Sequence, residues 1–484
     1  MTQIVVVGGG IAGLAAARSL AASGQVTVTV LDAAPRFGGK LASETLNGCR
    51  FDSGAESVLA RRPEAIELIG ALGLQQQLVH PTSAQPRILI DGRAEALPPS
   101  AMGIPTDVGA LEAILSPAGL RRARQEPDRP SPALDADVGI GDYVDQRFGP
   151  EVTDRVLEPL LGGVYAGRAR ELSFEAVAPG MFDRARCGGS LLEHARAQTR
   201  AGASGPVFAG LVGGISTLID ALSEDLRRRG VTLRTGVTAR ELTGGLGHFA
   251  LVCGPVPKPE LITADAVVLA APAGATGRLL DALGPVGREL AAMPYASMAV
   301  VTLIVRGVGR GDSGLLVPAG GLPTIKALTY SSSKWAWVAE RSAEAWGAGV
   351  SVIRASVGRL GEERLLQVDD ASLLARTYAE ASTLPGWESA ELVTGRVTRW
   401  GGGLPQYLVG HRALVGRVRG ALDAQPGLAA CGAAYDGVGI AACLASAGVA
   451  SAKILVELTT APTAPVPDLV TASSDDNKQD PGRR

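Results

Sequence analysis

The sequence predicts an α/β protein: a discontinuous, Rossmann-like dinucleotide-binding domain into which a second, α+β domain is inserted. Three observations carry this. A glycine fingerprint at Gly8, Gly10 and Gly13 follows an opening strand and precedes a helix. A second glycine cluster, from Gly432 to Gly439, opens another helix near the far end of the chain. Strand-rich blocks between the two read as returns to one sheet. At 484 residues, the chain also exceeds the size at which a single core stops growing.

The first unit runs strand (Ile4 to Val7), glycine turn, helix (Leu14 to Ser23) and strand (Val26 to Leu31), which is one βαβ unit. Val231 to Leu242 with Ala264 to Ala270, and then Leu428 to Cys431, are the expected returns to that sheet. From Pro98 to Ser204 the pattern is helical, with a charged, proline-bearing stretch from Arg121 to Pro132 expected as a mobile surface loop. From Ser297 to Arg399 alternation at Met298 to Val305, Ala336 to Glu340 and Val350 to Ser356 predicts a sheet. This assigns 1–90, 207–290 and 400–460 to the dinucleotide domain, and 91–206 (helical) with 291–399 (sheet) to the inserted one. The Pro-, Ser- and Asp-rich tail 461–484 is expected to be disordered.

Composition excludes several classes. Hydrophobic residues make up 46% and charged residues 19%, as in a compact globular chain. A net charge of -2 offers no broad basic surface, so no nucleic-acid partner is expected. Five scattered cysteines and four histidines show no metal-ligand spacing, which predicts no metal site and fits a reducing, cytoplasmic setting. The apolar run at Ile4 is not expected to be a signal peptide, since it breaks into glycine after four residues, and no run reaches the 18 to 20 uninterrupted apolar residues of a membrane span. Peripheral membrane contact and oligomeric state stay open.

The chemistry-bearing motifs begin with Gly8-Gly9-Gly10-Ile11-Ala12-Gly13. The first fingerprint glycine permits a tight turn, the second lets backbone N–H groups approach a pyrophosphate, and the third brings helix and strand together. Asp32, with Ala33 beside it, closes the second strand where a carboxylate can hold a ribose hydroxyl pair. This much does not separate NAD from FAD. Arg36-Phe37-Gly38-Gly39-Lys40 then adds a cation and bare backbone beside the same pyrophosphate, and Gly54-Ala55-Glu56-Ser57 a further close approach. Cys431-Gly432 through Gly437-Val438-Gly439-Ile440 starts the last helix, whose N-terminus can face developing negative charge.

These motifs resemble the amine oxidase type of FAD protein, and the resemblance narrows to the bacterial protoporphyrinogen and coproporphyrinogen III oxidases. It rests on GAESVLARRPEA (Gly54 to Ala65), EPLLGGVYAG (Glu158 to Gly167), VGGISTLIDAL (Val212 to Leu222), Ser333-Lys334-Trp335, and Arg399-Trp400 followed by LPQYLVGH (Leu404 to His411). It implies that Val237 contacts the adenine side of FAD through its backbone, that Trp400 lies near the flavin, and that Val438 to Ile440 touch the isoalloxazine end. Relatives that bind flavin covalently do so through a cysteine near Trp400-Gly401-Gly402-Gly403; none stands there, so FAD is expected to be noncovalent.

The implied reaction removes six electrons from a porphyrinogen, in haem biosynthesis, with dioxygen as acceptor and hydrogen peroxide as product. Arg61, Arg62 and Lys334 are the expected partners of substrate propionates, and Gly163, Tyr165 and Gly167 (with Gly162) the expected wall over the macrocycle. No general base is assigned: His80, His194 and His248 are isolated, and His411 is expected to fix the loop beside Trp400. The apparently cytosolic, Ala/Gly-rich character favours coproporphyrinogen III. Protoporphyrinogen IX as the substrate, an amine or polyene oxidase of the same fold, and a flavin-free escort for prenylated partners are the alternatives.

Overall fold

The computed structural model describes residues 2–200, 205–309 and 311–460; the expected tail at 461–484 lies outside them. A five-stranded parallel sheet is ordered Thr232–Arg234, Val26–Leu31, Thr2–Val7, Ala266–Leu269, Leu428–Ala430. Its inner strands Thr2–Val7 and Ala266–Leu269 are buried on both sides over Ile4–Val7 and Ala266–Leu269, as a sheet covered on both faces requires. Ile4, Val6, Val28, Val30 and Val268 face a core shared with helices Ile11–Ala21 and Ile440–Thr460. Val5, Val7, Leu31, Val267 and Leu269 face a second core shared with helix His411–Asp423.

The second sheet is seven-stranded and mixed, in the order Glu391–Pro405, Tyr295–Arg306, Val350–Val357, Ile325–Tyr330, Gly314–Leu316, Pro86–Ile90, Arg93–Ala96. On one face Ala299, Val301, Leu303, Ile353 and Ala355 pack on helix Asp370–Ala381. The residues between them, Met298, Val300, Arg354 and Trp400 among them, point the other way. A helical layer over 117–200 has its own core around Val144, Phe148, Leu157, Leu161 and Tyr407.

Four expectations need correction. The hairpin Pro86–Ile90/Arg93–Ala96 pairs with Gly314–Leu316 in the second sheet, so a boundary at residue 90 would cut through it. Val231 to Leu242 is two strands: Thr232–Arg234 joins the parallel sheet, whereas Ala239–Thr243 belongs to a separate antiparallel sheet. Ala336 to Glu340 lies in a helix, Ala336–Trp346; alternation over five residues cannot separate the two periods. The 121–132 stretch is anchored rather than loose. Its Glu126 is fully buried, forms an ion pair with Arg147 at 2.6 Å, and accepts hydrogen bonds from the Leu191 and Leu192 amides.

Helix Ile440–Thr460 is long and apolar enough to cross a membrane, but half of its apolar window is buried inside the fold. Ser451 donates to the Ala16 carbonyl, and Lys453 pairs with Glu457 at 2.6 Å.

Candidate cofactor and active site

A cavity of about 500 Å³ runs from the carboxyl ends of the parallel strands to the face of the second sheet that carries Met298, Val300 and Trp400. It sits in the crevice where open α/β sheets bind ligands. Backbone conformation builds its floor. Gly8 has φ +114°, and a Cβ there would meet the Ala270 carbonyl carbon at 2.6 Å. A Cβ on Gly13 would fall 1.8 Å from the Gly8 carbonyl oxygen, so the helix can approach the strand only without one. Gly10 differs: its φ of -72° suits any residue, and a Cβ would meet nothing within 4 Å. The space left bare at Gly10 faces the cavity, at the start of helix Ile11–Ala21, which is where an anion is favoured.

Asp32 is fixed by two backbone donors, the Gly9 N–H to Oδ2 at 2.6 Å and the Ala34 N–H to Oδ1 at 2.7 Å. Each oxygen keeps a lone pair for a hydroxyl donor. Val237 lines the cavity beside it, with its N–H engaged by the Asp32 carbonyl at 2.8 Å; only its carbonyl and side chain remain for a ligand. Lys40 also lines the cavity, and burial lowers its pKa. Trp400 donates from Nε1 to the Ser53 carbonyl at 3.1 Å, which ties the second sheet to the Gly54 segment.

At the other end Gly432 (φ +122°), Ala433, Val438 and Ile440 complete the lining before the last helix. Tyr407 holds this segment: its hydroxyl donates to the Ala433 carbonyl at 2.6 Å and accepts from the Gly437 N–H at 2.8 Å. His411 stacks on the Tyr407 ring at 3.8 Å and is lowered in pKa by burial, which suits a neutral positioning group.

The cavity therefore collects Gly8, Gly10, Ile11, Ala12, Asp32, Ala33, Gly38, Gly39, Lys40, Gly54, Ala55, Val237, Trp400, Gly432, Val438 and Ile440 from stretches far apart in the chain. Gly9, Gly13, Arg36, Glu56, Ser57 and Gly439 stand outside its lining. Gly9 and Gly13 act through the turn. Arg36 turns onto its own loop, donating to the Phe37 and Gly39 carbonyls at 3.1 and 2.9 Å, so it braces the turn rather than facing the cavity.

Glu56 is an ion-pair hub between the sheets. Lys334 Nζ lies 2.5 Å from one oxygen and Arg354 2.6 Å from the other. Burial would raise this carboxyl, but Lys334 and then Arg354 outweigh it and hold it at about 2. Lys334 is accordingly neutralised within the protein and is not the free cation expected for a propionate. Arg61 and Arg62 also stand away from the cavity. Both are exposed before helix Pro63–Ala71 and outside the cavity; Arg61 donates to the Gly205 carbonyl at 3.3 Å, and Arg62 pairs with Glu64.

Gly163, Tyr165 and Gly167 end helix Glu158–Tyr165, with Ala166 left-handed at φ +52°. Tyr165 is buried, its ring 5.7 Å from that of Tyr407, and Gly167 abuts Gln406 so closely that a Cβ would lie 2.3 Å from Oε1. They stand beside the cavity rather than in its lining. The cavity residues missed from the sequence include Tyr295, whose hydroxyl accepts from the Ala273 N–H at 2.9 Å, and Met298, Val300, Leu404 and Cys443. Ala270 to Pro272 was also missed, although its place after a parallel strand was a usable signal. Among the described residues no His, Cys, Asp and Glu group could hold a metal.

A parallel sheet with this glycine turn, a ribose-type acid and an apolar cavity walled by a second sheet defines a flavin-dependent oxidoreductase. The family model for flavin containing amine oxidoreductase matches residues 11–455, and the chain belongs to that family. It is 36% identical to the coproporphyrinogen III oxidase of Mycobacterium tuberculosis, over 94% of this chain and 97% of that one. Identity to the protoporphyrinogen oxidase of Bos taurus is 27%, over 93% and 98%. A solved structure from Exiguobacterium sp. 255-15 superposes with a TM-score of 0.81 at 30% identity, covering 95% of this chain and 99% of that one.

Proposed function

We propose that the chain binds FAD noncovalently and oxidises coproporphyrinogen III to coproporphyrin III in the cytoplasm, with dioxygen as acceptor. The observation that carries this is the cavity itself: bare backbone and Asp32 at one end, Trp400, Met298, Val300 and Leu404 at the other, with the activity named for the Mycobacterium tuberculosis relative as its chemical context. A flavin held there would supply a two-electron acceptor for hydride from a methylene bridge, used three times per macrocycle with dioxygen as terminal acceptor.

The protein's own residues do the rest. Gly8, Gly10, Ile11, Ala12 and Lys40 would hold the pyrophosphate, Asp32 the ribose, and Gly432, Val438 and Ile440 the end where charge develops, near a helix N-terminus. Val300, Met298 and Leu404 keep the reacting end apolar and exclude water. Cys443 lines the cavity, and burial pushes its thiol up to about 11, which disfavours the thiolate at neutral pH. Cys431 is buried and pushed up to about 12.

The choice of coproporphyrinogen over protoporphyrinogen follows the higher identity to the former's oxidase over nearly the whole chain. The test supplies each porphyrinogen separately under air to the purified yellow protein and follows porphyrin fluorescence and peroxide. Faster turnover of coproporphyrinogen III supports the reading, turnover of protoporphyrinogen alone overturns the substrate, and a colourless protein that cannot be loaded with FAD overturns the cofactor.

A further inference from the structure

Four buried polar atoms lack a hydrogen-bond partner within the protein at one place behind the cavity: Ser53 Oγ, Thr302 Oγ1, Thr398 Oγ1 and Arg354 Nε. Ser53 and Thr302 are 1% and 0% exposed, and Arg354 is buried. Native folds ordinarily pair such atoms, because each unpaired one keeps the full cost of its desolvation. The other two nitrogens of the Arg354 guanidinium are spent, Nη1 on Glu56 at 2.6 Å and Nη2 on the Gly54 carbonyl at 2.5 Å.

Strand pairing brings the four together. Thr302 stands opposite Arg354, and Val300, the next residue on the same face, stands opposite Thr398. One rung further, Met298 stands opposite Trp400. Arg354 and Trp400 therefore flank strand Tyr295–Arg306 from either side, two rungs apart. Their side chains nevertheless reach consecutive carbonyls: Trp400 Nε1 donates to Ser53 at 3.1 Å, and Arg354 to Gly54. The Ser53–Gly54 peptide must then lie over the space between them, above Val300, Thr302 and Thr398. Val300, Gly54 and Trp400 line the cavity, so the four atoms sit directly behind its wall.

The chemistry of the set selects its occupant. The guanidinium N–H can only donate, whereas the three hydroxyls both donate and accept. A metal ion would meet the Arg354 charge, and that charge is already paired with Glu56, so an anion is not called for. Water fits: its oxygen accepts from Nε and its hydrogens serve the hydroxyls. At roughly three hydrogen bonds per buried water, the set matches about one or two molecules. The Thr302 rung runs on to Arg396, which is exposed on the edge strand, so bulk solvent is one side chain away.

We propose that ordered water occupies this place and fastens the Ser53–Gly54 segment to the second sheet, with Thr302 and Thr398 as positioning residues for the cavity wall. On its other side the segment is bonded to the Ala42 and Lys40 carbonyls, by the Ser53 N–H at 2.9 Å and the Ala55 N–H at 3.1 Å. The water thus joins the loop that carries Lys40 to the sheet that carries Trp400, the two walls between which the cofactor lies. The effect on the cofactor rests on the FAD reading above; the water site does not.

The test compares wild type with Thr302→Val, Thr398→Val and Thr302→Ser, measuring Tm of the apoprotein and then its affinity for FAD. Valine keeps the shape of threonine and removes the hydroxyl. With water bound, each valine breaks a hydrogen bond: Tm should fall by about 1 to 2 °C, and FAD should bind roughly 3- to 10-fold more weakly. Thr302→Ser keeps the hydroxyl and should bind FAD within about twofold of wild type. A dry site gives the opposite sign, because valine then removes an unpaired polar atom; an unchanged or higher Tm overturns the proposal. So does a lower Tm with unchanged FAD affinity, or serine weakening FAD more than valine does, which would assign the effect to the methyl group. Wild type that cannot be loaded with FAD sinks the cofactor reading instead, and Tm alone then decides the water site. If the substituted proteins fail to fold, a crystal structure of the wild-type holoprotein decides: water bonded to Arg354 Nε supports the proposal, and dry packing there overturns it.

Discussion

Replacing Gly10 with alanine separates a residue kept bare for the fold from one kept bare for a ligand. Its φ of -72° and ψ of 178° suit alanine, and the new Cβ would meet nothing within 4 Å. Gly10 is the N-cap of helix Ile11–Ala21 and makes no side-chain cap, so the change should alter stability by about 1 kcal/mol or less. A bound pyrophosphate would occupy that space. Moving it away would weaken one or two charge-assisted hydrogen bonds of about 1.5 to 3 kcal/mol each, which corresponds to roughly 10- to 100-fold or more in flavin affinity. Gly13→Ala is the contrast, because its Cβ would lie 1.8 Å from the Gly8 carbonyl oxygen and must distort the turn itself. The assay is flavin titration of apoprotein, with Tm measured before loading. Gly10→Ala that binds FAD as tightly as wild type would refute the placement of the pyrophosphate.

Other consequences are as direct. Glu56 is held at about 2 against an ordinary 4.5, so its contribution to stability is full above 4.5 and lost as pH falls through 2. Glu56→Gln should lower neutral stability by about 3 kcal/mol and flatten that acid limb; parallel urea midpoints against pH in both proteins would contradict the hub. Acid precipitation should release all the flavin into solution, since no cysteine stands at Trp400 to Gly403; flavin retained in the pellet would show a covalent bond. Arg61→Ala and Arg62→Ala should leave KM for coproporphyrinogen III within about twofold, as expected of exposed arginines in screened pairs. A tenfold rise in either would return them to the site.

Legibility followed the physics of each motif. The glycine turn and Asp32 were readable because backbone conformation and close approach leave a local signature, and the structure places Gly8, Gly10 and Asp32 on one cavity. Trp400 joined them only through resemblance, since its proximity arises from a strand far away in sequence. The second sheet's face stayed hidden: Met298 and Val300 look like any alternating strand until pairing fixes which side meets the cavity. The cations failed for a related reason. A sequence shows that Arg61, Arg62 and Lys334 are basic, but not that Glu56 neutralises Lys334.

The most direct measurement of the central claim mixes the FAD-loaded protein with coproporphyrinogen III in the absence of oxygen and follows the flavin's visible absorbance in a single turnover. The account predicts rapid bleaching, with colour restored and peroxide formed when air is admitted. Flavin that keeps its colour under coproporphyrinogen III, while bleaching under an amine or a polyene, would contradict it.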